Sequence, residues 1–235
     1  VGLNTITAEA FKEAADILEK AEDFDTAVHD LIKQQLSDHR RIIFNGNGYS
    51  DAWIEEAEKR GLPNLKSMVE AIPALTEESS VKMFEDFHVF TRAELESRVE
   101  IEYEAYSKAI NIEAKTMIDM AGKQIIPAVI KYAAVLADSL SKVKAACPQA
   151  DTSVQAELLQ ETSAYLSDMK VALAALIDIT EKCAAIESNK EQANAYHNQV
   201  VPAMAALRQP ADKLEMIVDK EYWPMPSYGD LIFEV

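Results

Sequence analysis

The sequence is short of glycine, cysteine and positive charge, and each shortage excludes something. Only six glycines occur in 235 residues, at positions 2, 46, 48, 61, 122 and 229. Between Pro63 and Tyr228 the single one is Gly122. Tight hairpins need residues that accept positive φ, most often Gly or Asn-Gly. An antiparallel sheet has little to turn with over that stretch. The two cysteines, Cys147 and Cys183, are isolated and form no Cys-x-x-Cys. That fits two buried apolar thiols in a reducing cytoplasm. Lys plus Arg is 23 against 40 Asp plus Glu, a net charge of −17. Nucleic acids are bound through Lys and Arg, so no nucleic-acid partner is expected, and no anionic membrane surface. No uninterrupted apolar run approaches the ~20 residues of a membrane span. No signal-peptide pattern is visible.

What remains is helical. Alanine, the best helix former, occurs 35 times, and hydrophobic residues make up 49% of the chain. A chain of this length buries roughly 70% of its unfolded surface and needs no disulfide or metal to fold. The expected fold is all-α: a helical base (1–106), an elongated antiparallel helical bundle (107–221), and an aromatic tail with a terminal strand (222–235).

The pattern along the chain supports that division. A first helix is expected from about Ala8 to Glu22, capped by Thr7. A second starts near Asp25, with Val28, Leu31, Ile32, Leu36 and Ile43 at spacings near 3.6. Its expected end is Asn45-Gly46, with Arg41–Phe44 as a short strand in the alternative reading. Ser50 opens a third helix that Gly61 and Pro63 stop. Residues 64 to 90 read as two short helices broken by Pro73. Thr91-Arg92-Ala93-Glu94 is a capping box. From Leu95 an apolar seam steps by four and three as far as Val143, as in a coiled coil. Pro127 interrupts it, so a kink is expected between Gly122 and Ile126. Two more long helices, Ser153–Glu187 and Asn189–Glu221, carry their own seams, with bends at Pro202 and Pro210. Short connections force antiparallel neighbours. Gly229 to Val235 reads as a strand. A strand without a sheet suggests the tail of a longer polypeptide, as does a start at Val1.

Chemical motifs are weak. Gly46-Asn47-Gly48 lacks the third glycine and the βαβ unit of a dinucleotide fingerprint. Glu85-x-x-His88 is half of a di-iron signature with no second copy. Ser79-x-x-Lys82 and Ser139-x-x-Lys142 lack the accompanying elements of an acyl-enzyme site. His39-Arg40-Arg41 reads as cations placed near a helix C-terminus. No catalytic, cofactor-binding or metal residue is assigned. The tail Tyr222-Trp223-Pro224-Met225-Pro226-Ser227-Tyr228 stands out as aromatic and proline-fixed. Aromatics are enriched at interfaces, so Trp223 and Tyr228 are the interface candidates.

Several long strings carry a family resemblance. They are Leu3-Asn4-Thr5-Ile6, His39 through Ser50, Glu58 through Leu65, Val89-Phe90-Thr91 with Glu94, and Ile110 through Ala114. Tyr222 through Asp230 completes them. Together they resemble the C-terminal third of glutamine synthetase type III, the large bacterial form. Residues 107 to 221 look like an insertion special to that type. The resemblance implies an ATP-dependent ligase joining glutamate and ammonia, with Mg or Mn, in the parent protein. The family's metal glutamates and catalytic arginine segment lie upstream, and none is carried onto this chain. Asn45-Gly46-Asn47-Gly48 resembles the family's nucleotide segment, but Tyr49-Ser50 stands where that motif needs its histidine. The implied role is scaffolding: closing an upstream catalytic domain of the same chain and supplying contacts in a homo-oligomeric ring. The alternative is a stand-alone helical module that binds a partner helix.

Overall fold

The computed structural model describes residues 1–233. Among them every regular element is helical. The chain divides into two compact units, Val1–Glu102 and Tyr103–Val235.

The first unit opens with α1 (Gly2–Leu18) and α2 (Phe24–Asp38). α1 starts six residues before the expected Ala8, because nothing in Gly2–Ile6 breaks a helix. Thr7 is therefore internal, and its hydroxyl donates back to the Leu3 carbonyl at 2.9 Å. Asp23 caps α2, accepting from the Thr26 hydroxyl at 2.6 Å and the Thr26 amide at 3.4 Å.

α2 stops at Asp38, short of the predicted Asn45-Gly46, and the alternative strand over Arg41–Phe44 does not form either. A 3-10 turn, Arg40–Ile42, follows, and Ile43 is extended. The cause is a side chain from further along. Arg60 donates to the carbonyls of Arg41 (3.2 Å) and Ile43 (2.8 Å), capturing acceptors that a continuing helix would use. Phe44 then stacks on Trp53 with centroids 4.3 Å apart.

α3 (Asp51–Lys59) begins after Ser50, whose hydroxyl turns back to the Asn47 carbonyl at 2.7 Å instead of capping the helix. It ends at Gly61, where φ is +69°. A short α4 (Met68–Ala71) carries the capping box Ser67/Glu70. Pro73 sits near the start of the 3-10 turn Ile72–Thr76, and α5 (Glu78–Asp86) follows. Val81, Met83, Phe84 and Leu95 form this unit's core, with Val89 and Phe90 packed on it. The predicted capping box is present: Thr91 donates its amide to Glu94 at 2.8 Å and its hydroxyl accepts the Glu94 amide at 3.4 Å. It opens α6 (Arg92–Met120), and the division between the units falls inside that helix.

The second unit holds the rest of α6, α7 (Ile126–Ala146), α8 (Ser153–Ala184), α9 (Asn189–Ala195) and α10 (Val201–Glu215). At 1.5 Å per residue α8 is about 48 Å long. It packs on both α7 and α10. The predicted seams are the core: Ala114, Ala121, Val129 and Leu136 meet Met169, Leu173 and Leu176 of α8 and Tyr196, Val200, Leu207 and Leu214 beyond it. The continuous stretch Arg92–Ala146 is long and apolar enough by composition to cross a membrane. Its seam is packed in this core instead.

Two five-residue π-helical turns interrupt the long helices. Ala121–Ile125 precedes α7 and Tyr196–Val200 precedes α10, and each following helix has proline as its second residue. The reason is common to both. Proline lacks an amide donor and its ring collides with the carbonyl four residues back. For Pro127 and Pro202 those carbonyls are at Lys123 and Asn198, mid-turn in each case. The wider turn moves them aside, and bonds span five residues, Ile126 to Ala121 and Val201 to Tyr196. The kink expected at Gly122–Ile126 thus has a defined form. Pro210 lies buried within α10, which continues through it.

Candidate functional site

The residues singled out for interaction lie beyond α10. That helix ends with Val218 and Ile217 donating back to the Leu214 carbonyl, and Tyr222 and Trp223 both donate to the Asp219 carbonyl (2.9 and 3.0 Å). The turn aims the aromatics at the bundle. The Tyr222 ring lies 5.9 Å from Tyr132, and Tyr222, Trp223 and Met225 pack against the core. Trp223 is half-buried, and its buried indole Nε1 has no hydrogen-bond partner.

The chain then enters α11 (Tyr228–Phe233). This helix occupies the segment predicted as a strand; Glu234 and Val235, the end of that prediction, lie outside the described residues. Local hydrogen bonding favours the helix. Ser227 donates its amide (2.7 Å) and hydroxyl (2.8 Å) to Asp230, and the Asp230 amide returns to the Ser227 hydroxyl at 3.4 Å. That is a serine–acid capping box. A strand finds no sheet among the described residues to satisfy its backbone. Lys220 pins the helix to the preceding turn, its ammonium 2.5 Å from Asp230. The Lys220 bond, ahead of those from Ser227, pulls the Asp230 carboxyl down to about 2.

The structure therefore separates the two interface candidates. Trp223 packs on its own chain, whereas Tyr228 is 84% exposed. Leu231, Ile232 and Phe233 are exposed with Tyr228, so α11 presents apolar side chains to solvent. The strand reading had hidden this cluster.

Other sequence motifs resolve into plain structure. Glu85 accepts the Arg92 amide at 3.0 Å, and His88, at φ +53°, ends α5 rather than facing a metal. Lys82 and Lys142 pair with Asp86 and Asp138, not with the serines of the Ser-x-x-Lys motifs. The expectation of two buried thiols is met at Cys183 and not at Cys147, which is exposed. Gly46-Asn47-Gly48 lies in a loop where the Asn47 side chain accepts the Tyr49 amide at 3.0 Å. His197, in the second π-helical turn, has Nδ1 3.1 Å from the Tyr106 hydroxyl, and burial pushes that phenol's pKa up. Among the described residues no group of three or more His, Cys, Asp or Glu is placed to hold a metal.

Two features escaped the sequence reading. The faces of α1 and α2 are far more open than their apolar pattern suggested. Leu3, Ile6, Phe11, Phe24, Ile32 and Leu36 are all more than half exposed. Periodicity shows that a face is apolar, not what covers it. The other is a set of arginines gathered from the end of α3, at Arg60, and the turn after α2.

Comparison with known proteins places this geometry. Residues 27–144 match the family described as the glutamine synthetase C-terminal domain. A glutamine synthetase of Butyrivibrio fibrisolvens is 34% identical over 208 residues, 88% of this chain and 30% of that protein. The type-3 glutamine synthetase of Dictyostelium discoideum is 32% identical over 98% of this chain and 32% of its own length. A glutamine synthetase of Bacteroides fragilis is 31% identical over 95% of this chain and 31% of its own. The chain spans about a third of the length of these curated relatives. With the match running from α2 to the end of α7 and likeness to the relatives through nearly every helix, the chain belongs to the glutamine synthetase C-terminal domain family.

Proposed function

We propose that this chain is the C-terminal part of a type III glutamine synthetase, an ATP-dependent ligase joining glutamate and ammonia in the cytoplasm. The observation that carries the reading is the extent of likeness: 88 to 98% of the chain aligns with glutamine synthetases three times its length. Residues 1–106 are assigned to the helical end of the catalytic domain, 107–221 to an inserted bundle and 222–235 to a docking tail. The chain's own work is scaffolding. It closes the upstream catalytic domain and supplies contacts in a homo-oligomeric ring. The exposed apolar residues of α1, α2 and α11 support this, because such surfaces mark interaction sites. Tyr228 is the foremost contact residue, and Trp223 holds the tail against the bundle.

ATP and Mg or Mn serve the parent reaction. The residues described here do not fit those metals, since they offer no ligand cluster, and no chemical step is assigned to them. The test compares phosphate release from ATP, with glutamate, ammonia and Mg or Mn, by this chain and by the longer enzyme. Turnover is expected only from the latter. Turnover by the 235-residue chain alone, lost on substitution within it, would refute the scaffold role.

A further inference from the structure

The chain holds six arginines, and three of them, Arg40, Arg41 and Arg60, line one open cavity of about 960 Å³. Its other walls are Leu36 and Ser37 of α2, Ile43, and Asn45. No carboxylate lines it. Arg92 and Arg208 are paired with Glu78 and Asp212, and several lysines with an aspartate one turn away, as in Lys12–Asp16 and Lys182–Asp178. Arg40 and Arg41 have neither an ion pair nor a side-chain hydrogen bond among the described residues.

Arg60 differs from its neighbours, and the difference makes the cavity a built feature. Its Nε is held by Glu56 at 2.6 Å, one Nη donates to the Arg41 and Ile43 carbonyls, and its guanidinium lies over Trp53. By tying down those carbonyls it fixes the 3-10 turn that carries Arg40 and Arg41. Arg60 thus shapes the turn and borders the cavity with its own charge met by Glu56, and the unpaired charge there is that of Arg40 and Arg41.

We propose that this cavity binds a small phosphate-bearing anion. A guanidinium offers a planar fork of donors that matches phosphate oxygens two at a time. The two unengaged forks of Arg40 and Arg41 on one cavity suit a group with many anionic oxygens; a single carboxylate satisfies only one. The Ser37 hydroxyl and Asn45 amide add neutral donors. Leu36 and Ile43 provide an apolar wall for the body of a phosphate ester. The volume is in the range of small-molecule sites, about 300–1,000 Å³. A nucleic-acid strand does not suit the site, because the chain's charge of −17 repels a long polyanion. This inference does not rest on the ligase reading.

The test is calorimetric titration of the 235-residue chain at low ionic strength with pyrophosphate, ADP and acetate. Pyrophosphate and ADP are expected to bind, more weakly as salt rises. Arg40→Ala and Arg41→Ala should each weaken binding about tenfold. Neither side chain has a partner to lose, so an unchanged circular dichroism spectrum is expected. Arg208→Ala, a pocket-free control, should bind as the parent does. No heat with either phosphate compound would overturn the proposal. So would equal binding by the Arg40→Ala/Arg41→Ala double variant, or acetate binding as tightly as pyrophosphate.

Discussion

The two units of this chain solve the burial problem to different degrees. Among the described residues Val1–Glu102 buries seven hydrophobic side chains and leaves fifteen large ones exposed; Tyr103–Phe233 buries nineteen and exposes eleven. α2 buries nothing and α1 only Thr5, whereas α8 alone buries Met169, Leu173, Leu176 and Cys183. The bundle unit finds its hydrophobic partners within itself. The first unit has apolar faces that the described residues do not cover. An amphipathic helix draws most of its stability from the face it packs, so the first unit is where outside contacts matter.

That contrast can be broken by mutation. Phe84→Ala removes the largest side chain of the first unit's core and is expected to cost about 3–5 kcal/mol. Hydrogen exchange should then rise across α5 and stay low in α8. Leu176→Ala, at a fully buried site, should cost about 2–5 kcal/mol and show the reverse pattern. Equal loss of protection in both units after either change would mean that they fold as one.

Smaller changes sharpen the comparison. Gly61→Ala places a side chain at φ +69°, with open space around it. Strain alone should cost about 1–2 kcal/mol, read from urea denaturation. Ile32→Ala, at 55% exposure, should change stability of the isolated chain by less than about 0.5 kcal/mol. In the longer enzyme it should cost more, if that face is covered there. No difference between the two settings would leave α2 a solvent face.

The smallest effect concerns α11 and pH. The Asp230 carboxyl is depressed from 3.8 to about 2 by Lys220 and Ser227. A depressed carboxylate contributes stability above its unfolded value and loses it as pH falls through the folded one. Protection of the amides of residues 227–233, taken relative to the intrinsic exchange rate at each pH, should therefore fall between about pH 4 and pH 2. Asp230→Asn should abolish that pH step and leave the bundle unchanged.

Local rules were enough for much of the fold. The seams of α6, α7, α8 and α10, the Thr91/Glu94 capping box and the kink before Pro127 were all legible, because each depends on residues within a turn or two of one another. The tail shows where such reading stops. Gly229 to Phe233 has the residues of a strand, and a strand is decided by a partner. With no sheet among the described residues, a serine and an aspartate three residues apart hold this segment as a helix. For the same reason Trp223 and Tyr228 looked alike in sequence and differ in burial.

The sequence by itself determined that the chain is helical, that Pro127 and Pro202 interrupt two of its long helices and which faces are apolar, since periodicity, proline and capping act along the chain. Only the tertiary structure decided which apolar faces are covered and where α2 ends. It also decided that Arg60 comes to lie beside Arg40 and Arg41. Those outcomes depend on contacts between residues far apart in sequence, the Arg60 bond to the Arg41 carbonyl spanning 19 positions. No local pattern encodes a contact of that kind, because its energy depends on where the rest of the chain has already packed.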